Sequence, residues 1–218
     1  MEPEAINTLQ HNATLYKTID ESGDPKMVVA MYDDISTNYD EIMSKGRYRA
    51  PIIAAEEVSI LVSENQRKEV RVLDVAAGTG WVGKELTKKG FTNIDALEPS
   101  GSMMRQIKSS GVYTLMFQEF LGVGQNTISK GIYDIVVSAG AMRENHIPLS
   151  GIDDMIHFTK PGGLVVLLMN NFDVGPKNKA ESHMNQLEEK GLWCKESSTI
   201  VPNYSLSKEG IVFIYRVQ

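Results

Sequence analysis

The stretch VLDVAAGTGWVG, residues 72–83, contains three glycines whose spacing suits a nucleotide-binding turn. Gly78, Gly80 and Gly83 form the pattern G-x-G-x-x-G, which is typical of dinucleotide-binding folds. Glu98 lies where such folds place the acidic side chain that binds a ribose. The pattern therefore predicts a nucleotide cofactor with a ribose, and leaves open which nucleotide it is.

Asp74 separates the two candidate cofactors. It lies at the end of the predicted strand that precedes the turn, and a carboxylate there would repel the diphosphate of a nicotinamide or flavin dinucleotide. S-adenosylmethionine brings an ammonium group and a sulfonium instead of phosphate, and Asp74 could support its methionine part through direct or water-bridged hydrogen bonds. We therefore favour S-adenosylmethionine over NAD(P). Gly83 is interpreted as a helix–sheet packing contact, which makes the third glycine of the pattern a coincidence.

Strands and helices alternate from residue 70 onward, and this alternation predicts a mainly parallel sheet with helices on both faces. The last two strands, residues 192–204 and 210–217, follow each other without a helix, which predicts an antiparallel pair at one side of the sheet. The other predicted strands are VRVLDVA (70–76), NIDALE (93–98), VYTLMFQ (112–118), YDIVVSAG (133–140) and LVVLLMN (164–170).

Four short segments in this order carry a resemblance to a known family. VLDVAAGTG, LEPSGSMM, YDIVVSAG and KPGG resemble the conserved motifs of class I S-adenosylmethionine-dependent methyltransferases. Over most of residues 30–172 the chain is also similar to the Williams–Beuren-region methyltransferase-like proteins, in YDDISTNYDEIMSKGRYRAP, LDVAAGTGWVGKEL and TKPGGLVVLLMNN. Ala76 stands where many class I enzymes have glycine, and alanine is small enough to keep the turn.

The resemblance implies a Rossmann-like α/β fold. We expect a seven-stranded, mostly parallel sheet in the order 3-2-1-4-5-7-6, with the last strand antiparallel, helices on both faces and an N-terminal helical lid. Residues 1–26 are predicted to form a flexible N-terminal arm, and 27–218 a single methyltransferase domain. Within that domain, residues 27–66 are the lid segment and residues 70–218 the core.

The resemblance also implies a set of cofactor-binding residues. The loop after the first strand and Ser138–Gly140 should meet the methionine part, Glu98 the ribose, and the loop after the third strand the adenine. The lid tyrosines should close the pocket, or pack on the helix layer instead. The residues expected to bind the cofactor are Tyr39, Tyr48, Asp74, Ala76, Gly78, Thr79, Gly80, Glu98, Pro99, Ser100, Met103, Gln118, Glu119, Phe120, Ser138, Ala139 and Gly140.

The sequence gives weaker indications of the residues that would bind the methyl acceptor. His146 follows the fourth strand, near the place where an acceptor would bind, and is the candidate general base. Polar residues on the same rim could orient a polar substrate or merely solvate two loops; they are Arg143, Glu144, Asn145, Asn170 and Asn171.

Composition limits the partners and the location. The chain has 218 residues and a formal net charge of -6 without Lys/Arg blocks, which argues against a nucleic-acid partner. The single cysteine, Cys194, cannot form an intramolecular disulfide, and MEPEAINTLQ is too polar for a signal peptide, so a cytoplasmic location is expected. LVVLLM is too short to span a membrane. No spacing of His, Cys, Asp or Glu indicates a metal, and the oligomeric state is left open.

These observations predict a methyltransferase that moves a methyl group by in-line displacement to N, O or S of a small-molecule acceptor. Because the sulfonium already activates the methyl group, positioning replaces most of the acid–base chemistry, and a catalytic dyad is not required. Two alternatives stay open at this point. One is an NAD(P)-dependent oxidoreductase, and the other is a protein that binds S-adenosylmethionine without catalysis.

Overall fold

The computed structural model describes most of the chain from Asp24 onward. The predicted N-terminal arm, residues 1–26, lies outside the described residues except for its last three positions, and the predicted division into arm, lid and core stays a prediction. The described residues are 24–45, 47–124, 126–142, 146–171, 179–205 and 208–218.

One seven-stranded sheet forms the centre of the fold. Its order is β3-β2-β1-β4-β5-β7-β6, as predicted. Strands β1 to β5 pair in parallel, and β7 runs antiparallel to both β5 and β6. The strands are β1 Arg71–Val75, β2 Asn93–Leu97, β3 Met116–Phe117, β4 Tyr133–Ala139, β5 Thr159–Asn170, β6 Trp193–Ser205 and β7 Lys208–Val217.

Helices cover both faces of this sheet. Alternate residues of a strand point to opposite faces, so Val72 and Leu73 of β1 belong to two separate cores. Helices α3, α4 and α5 pack on the Val72 face, and α6 and α7 pack on the Leu73 face. The α-helices are α1 Pro25–Ile35, α2 Tyr39–Lys45, α3 Ala50–Leu61, α4 Trp81–Lys88, α5 Gly101–Ser110, α6 Ser150–Phe158 and α7 Lys179–Glu189.

Two elements differ from the sequence prediction. The third strand is only two residues long, and the N–H of Leu115, just before it, donates to the Asp95 carboxylate at 2.8 Å. The strand predicted at residues 164–170 begins earlier, at Thr159, so the KPGG segment lies inside β5. The pairing of β4 with β5 shifts register between Tyr133 and Ile135, which accommodates this segment within the strand.

The N-terminal helices lie across the end of the sheet where the parallel strands finish. Asp24 caps α1 by accepting a hydrogen bond from the N–H of Lys26, and Pro25 occupies the first turn, where its missing N–H costs nothing. Val28 and Met31 are the buried residues of α1. Among the described residues, we find no helix with the length and apolarity needed to cross a membrane.

Candidate cofactor site

The turn after β1 is built from three left-handed residues. Ala76, Gly78 and Gly80 have φ angles of +54°, +57° and +80°. Glycine adopts this conformation without steric cost, whereas alanine does so at a cost of about 1 kcal/mol. Gly80 is also the N-cap residue of α4, and a side chain there would meet Tyr113 at 2.9 Å. The turn is kept with alanine at position 76, and it lies at the carboxyl end of the sheet, where α/β folds bind their ligands.

Glu98 fastens this turn to the loop after β2. One carboxylate oxygen accepts from the N–H of Gly78 at 2.9 Å, and the other accepts from the N–H of Ser100 at 2.8 Å. The side chain is 6% exposed, and burial raises its pKa to about 7. Each oxygen retains a second lone pair for a ligand hydroxyl. Glu98 can therefore hold the turn and bind a ribose with the same carboxylate.

Asp74 lies beneath the turn rather than on the cavity wall. Its Oδ2 accepts from the hydroxyl of Tyr113 at 2.6 Å, while Oδ1 is buried and has no hydrogen-bond partner among the described residues. Burial raises the pKa of Asp74 to about 7. The structure thus gives Asp74 a partner in the protein, where the sequence predicted the methionine part of the cofactor.

Gly83 makes room for this buried tyrosine. The Tyr113 hydroxyl accepts from the N–H of Gly83 at 3.1 Å, and a Cβ at position 83 would lie 2.3 Å from the Tyr113 ring. The interpretation of Gly83 as a packing contact is therefore confirmed. Sequence reasoning did not find Tyr113, because the contact joins residues 30 positions apart and nothing near Tyr113 marks it.

A cavity lies between this turn and the N-terminal helices. Its wall includes Pro25, Val28, Val29 and Tyr32 from α1, and Leu121, Val123, Ile147 and Pro148 from two loops. The predicted site residues that the structure places on this wall are Tyr39, Tyr48, Ala76, Gly78, Glu98, Pro99, Met103, Phe120, Ala139, Gly140 and His146. The other described candidates do not line it.

Two of those other candidates bind acidic side chains of the N-terminal segment. The Thr79 hydroxyl donates to Asp40 of α2 at 2.5 Å. The Ser100 hydroxyl donates to Asp33 of α1 at 2.5 Å, and the N–H of Ser102 donates to the same oxygen at 2.9 Å. These hydrogen bonds lower the pKa of Asp33. The two aspartates fasten the N-terminal helices over the cavity, and the sequence analysis did not single them out.

The loop after β3 offers less to an adenine than the sequence suggested. Phe120 lines the cavity, but Gln118 is exposed. The Glu119 carboxylate accepts from the N–H of Thr127 at 2.9 Å and from its hydroxyl. In this structure the Glu119 acid therefore faces its own loop, the Gln118 amide is exposed, and of these three candidates only Phe120 lines the cavity.

The remaining candidates divide between buried and peripheral positions. Ser138 is fully buried in β4, and its hydroxyl has no hydrogen-bond partner. Asn171 donates to Glu209 at 3.3 Å, away from the cavity. Asn170 ends β5 and is likewise not on the wall. The predicted rim residues Arg143, Glu144 and Asn145 lie outside the described residues.

Aromatic side chains close the cavity from the N-terminal side. The Tyr48 hydroxyl donates to the carbonyl oxygen of Ala139 at 3.3 Å, and burial raises the pKa of Tyr48 well above its usual value. Gly140 has a φ of +74°, and a side chain there would collide with the Tyr48 hydroxyl. Tyr32 packs edge-on against Tyr39, with ring centres 6.0 Å apart. The tyrosines thus form a wall over the end of β4.

The wall residues fit a nucleoside that carries a ribose and no phosphate. Glu98 suits the ribose hydroxyls, and Met103 and Phe120 are apolar surfaces for a base. Among the described wall residues, no Lys or Arg is present to neutralise a diphosphate, and Glu98 is the only carboxylate. The described part of the chain also contains no group of His, Cys, Asp and Glu that could hold a metal ion. This chemistry fits S-adenosylmethionine better than NAD(P).

Known proteins are similar to this chain in sequence and in fold. The chain is 31% identical over 164 residues to human Methyltransferase-like protein 27, covering 74% of this chain and 66% of that protein. It is 26% identical over 175 residues to the ubiquinone/menaquinone biosynthesis C-methyltransferase UbiE of Burkholderia cenocepacia, covering 70% of this chain and 64% of that enzyme. The chain therefore spans slightly less than two thirds of these relatives' length. No family model matches it.

The fold has a counterpart in a solved structure. A TehB-like SAM-dependent methyltransferase from Corynebacterium glutamicum matches with a TM-score of 0.62 and 16% identity, over 87% of this chain and 99% of that one. This likeness concerns the fold, and the human relative adds the sequence similarity. The strand order, the cavity at the turn and these relatives together show that the chain belongs to the class I S-adenosylmethionine-dependent methyltransferases.

Proposed function

We propose that this chain transfers the methyl group of S-adenosylmethionine to an N, O or S atom of a small-molecule acceptor. The observation that carries the proposal is the cavity between the turn after β1 and the N-terminal helices. The turn and Glu98 form its base, and α1 covers it. S-adenosylmethionine supplies a methyl group bonded to a positively charged sulfur. The protein must therefore bind the cofactor and the acceptor, orient them and exclude water.

Each part of the wall has a proposed task. Glu98 accepts the ribose hydroxyls, and the turn at Ala76 and Gly78 lies against the methionine part. Met103 and Phe120 enclose the adenine. These roles are supported by burial and position, and the affinity of variants tests them.

Positioning supplies most of the proposed rate enhancement. Holding the acceptor in line with the methyl group is worth up to about 7–11 kcal/mol in ideal cases. His146 lies on the wall and is proposed to take the proton of an acceptor that arrives protonated. General-base catalysis of this kind contributes about 100-fold or more.

The covered cavity favours a small acceptor over a macromolecule. Asp33 and Asp40 fasten α1 and α2 above the site, so the acceptor must fit beneath these helices. The net charge of -6 also disfavours a nucleic-acid acceptor. A cytoplasmic place of action is part of the proposal, supported by the single, exposed Cys194.

A methyl-transfer assay tests the function. The purified protein is incubated with methyl-labelled S-adenosylmethionine and a cell extract separated into small molecules, RNA and protein. We expect label in the small-molecule fraction, and no label there with Glu98→Ala. Label in RNA or protein alone would contradict the small acceptor. Tight cofactor binding without transfer to any fraction would favour a non-catalytic binding protein. The Burkholderia relatives are named as C-methyltransferases, so the labelled product must also be examined for methylated carbon.

A further inference from the structure

We infer that the acceptor is an uncharged, largely apolar molecule with one hydroxyl group, and that Tyr32 passes its proton to His146. This inference rests on the proposed function and deepens it, because it assigns the substrate class and a second residue for the reaction. Two independent observations carry it. One is the chemistry of the cavity wall, and the other is a contact across the cavity.

The part of the wall formed by α1 and by the loops after β3 and β4, beyond the residues proposed to hold the cofactor, is apolar. Six side chains from three segments form it, and they include two valines of α1 and a proline. These residues are Val28, Val29, Leu121, Val123, Ile147 and Pro148. Val28, Leu121 and Ile147 are buried, whereas Val123 is 56% exposed, so we place Val123 at the mouth. Such a surface binds an apolar skeleton by removing it from water.

Charged acceptors find no partner on this surface. Among the described wall residues there is no Lys or Arg, so a phosphate or carboxylate would be desolvated without compensation. Glu98, the only carboxylate of that set, already binds the N–H groups of Gly78 and Ser100. Its remaining lone pairs are proposed to accept the ribose hydroxyls, so an ammonium group of the acceptor would compete with the ribose for Glu98. An uncharged acceptor avoids both costs.

Tyr32 and His146 meet across the cavity. The Tyr32 hydroxyl lies 3.2 Å from Nε2 of His146, and the two rings contact edge to face with centres 5.8 Å apart. Both residues line the cavity, although they are 114 positions apart in the chain. Their hydrogen bond therefore joins α1 to the loop after β4 at the surface that an acceptor would touch.

This contact suits a two-step passage of one proton. The acceptor hydroxyl donates to the Tyr32 oxygen, and the Tyr32 proton moves to Nε2 of a neutral His146. The acceptor oxygen uses the electron pair so released to form its bond to the methyl carbon. The carbon–sulfur bond breaks and its electron pair stays on sulfur. The imidazolium returns its proton to water after the products leave, so that charge and atoms balance.

Among the described residues, the titratable groups that share the cavity wall with His146 are Tyr32, which it contacts, and Tyr39, Tyr48 and Glu98. The Tyr32 hydroxyl can donate to Nε2 only when that nitrogen carries no proton, so the proton path requires the neutral imidazole of His146.

Binding of matched phenols tests the substrate class. The probes are para-ethylphenol, tyramine and para-hydroxyphenylacetate, which share a ring and hydroxyl and differ in charge, with naphthol as a larger neutral member. Each is titrated calorimetrically into protein saturated with S-adenosylhomocysteine. We expect a neutral member to bind at least about tenfold tighter than both charged ones. A charged member that binds equally well, or the failure of every neutral member to bind, would overturn the inference.

Variants test the proton path with the best neutral phenol. Tyr32→Phe and His146→Gln should each lower kcat near pH 7, by about tenfold and about 100-fold. Near pH 10 the phenol ionises by itself, so both losses should shrink to about twofold. A purely structural role would give a loss that is independent of pH, and that result, or an unchanged kcat for Tyr32→Phe, would overturn the path.

Two matched variants serve as controls. Tyr215→Phe removes the hydroxyl of a tyrosine that stacks on Trp193 in the core, and His183→Gln removes a histidine paired with Asp153. Neither residue lines the cavity, and we expect kcat within about twofold of the parent. Calorimetry with S-adenosylhomocysteine separates the two levels of the argument. If it fails to bind the parent, the proposed function fails, whereas normal binding with charged-phenol preference overturns the inference alone.

Discussion

The cofactor edge, which is the carboxyl end of the sheet around Gly78 and Glu98, and the N-terminal segment are stabilised in different ways. At the cofactor edge, Glu98 binds main-chain N–H groups of two turns, one of them 20 positions away. The N-terminal segment is held by side chains that reach 67, 39 and 114 positions along the chain, from Asp33, Asp40 and Tyr32. A site built on the main chain of short motifs can be found by spacing, whereas contacts between distant side chains form only in the folded chain.

Among the substitutions that test this difference, Glu98→Ala should have the largest effect. It removes a carboxylate that fastens the turn and that is proposed to accept two ribose hydroxyls, each a hydrogen bond to a charged group worth about 1.5–3 kcal/mol. We expect the affinity for S-adenosylmethionine to fall at least about 100-fold, measured by titration calorimetry. An affinity within threefold of the parent would show that the ribose lies elsewhere.

The buried carboxyl groups of Glu98 and Asp74 should make the stability of the protein depend on pH. Burial raises the pKa values of Asp74 and Glu98 to about 7, so the folded chain holds these protons more tightly than the unfolded chain does. Their contribution to the free energy of unfolding is complete below the ordinary pKa of about 4 and is lost as pH rises through about 7. Urea denaturation should show the ligand-free protein losing stability from pH 5 to 8, with a smaller loss in Glu98→Gln. An identical loss in both would contradict this assignment.

Gly83→Ala tests the support beneath the turn. The added Cβ would lie 2.3 Å from the Tyr113 ring, which is itself bonded to Asp74. We expect the free energy of unfolding to fall by about 2 kcal/mol, as in other overpacked cores. Gly101→Ala is the matched control, because its Cβ would meet only the ends of the flexible Gln118 and Arg105 side chains, at 3.3 and 3.9 Å. Equal stability of the two variants would mean that Tyr113 moves aside freely.

Asp33→Asn should loosen the N-terminal segment. Asp33 caps the start of α5 as an anion, and an amide loses that favourable charge, at a cost of about 1 kcal/mol. Because its pKa is lowered, its contribution is present above the unfolded value of 3.8 and is lost as pH falls through the folded value. Denaturation of Asp34→Asn, an exposed neighbour, is the control. Equal stability of both variants at neutral pH would argue against a fastened segment.

Ala76→Gly should have the smallest effect. Glycine relieves the left-handed strain of about 1 kcal/mol but loses more conformational freedom on folding, at a cost of about 0.5–1 kcal/mol. We expect the free energy of unfolding to change by less than about 0.5 kcal/mol in a thermal or chemical melt. A loss above 1 kcal/mol would mean that the alanine methyl group packs usefully.

The sequence predicts the architecture well because each strand and helix is encoded locally. The strand order, the antiparallel β7 and the packing role of Gly83 all follow from short segments and their resemblance. The position of Glu98 beside the turn also follows from spacing.

Side-chain directions were harder to predict. Asp74 turns beneath the loop because Tyr113, 39 positions away, offers a buried hydroxyl. Glu119 turns to Thr127, which its own loop brings near. Asp33 and Asp40 were not singled out, since an aspartate on a helix surface has no local mark of a distant partner. The periodicity of a chain defines its elements, and the choice among polar partners depends on tertiary contacts.

Titration calorimetry with S-adenosylmethionine, S-adenosylhomocysteine and NAD(P)H tests the central claim most directly. We expect saturable binding of the first two by the parent protein, a loss of at least about 100-fold with Glu98→Ala, and no binding of NAD(P)H. Saturable binding of NAD(P)H without binding of S-adenosylmethionine would contradict the cofactor assignment and the function built on it.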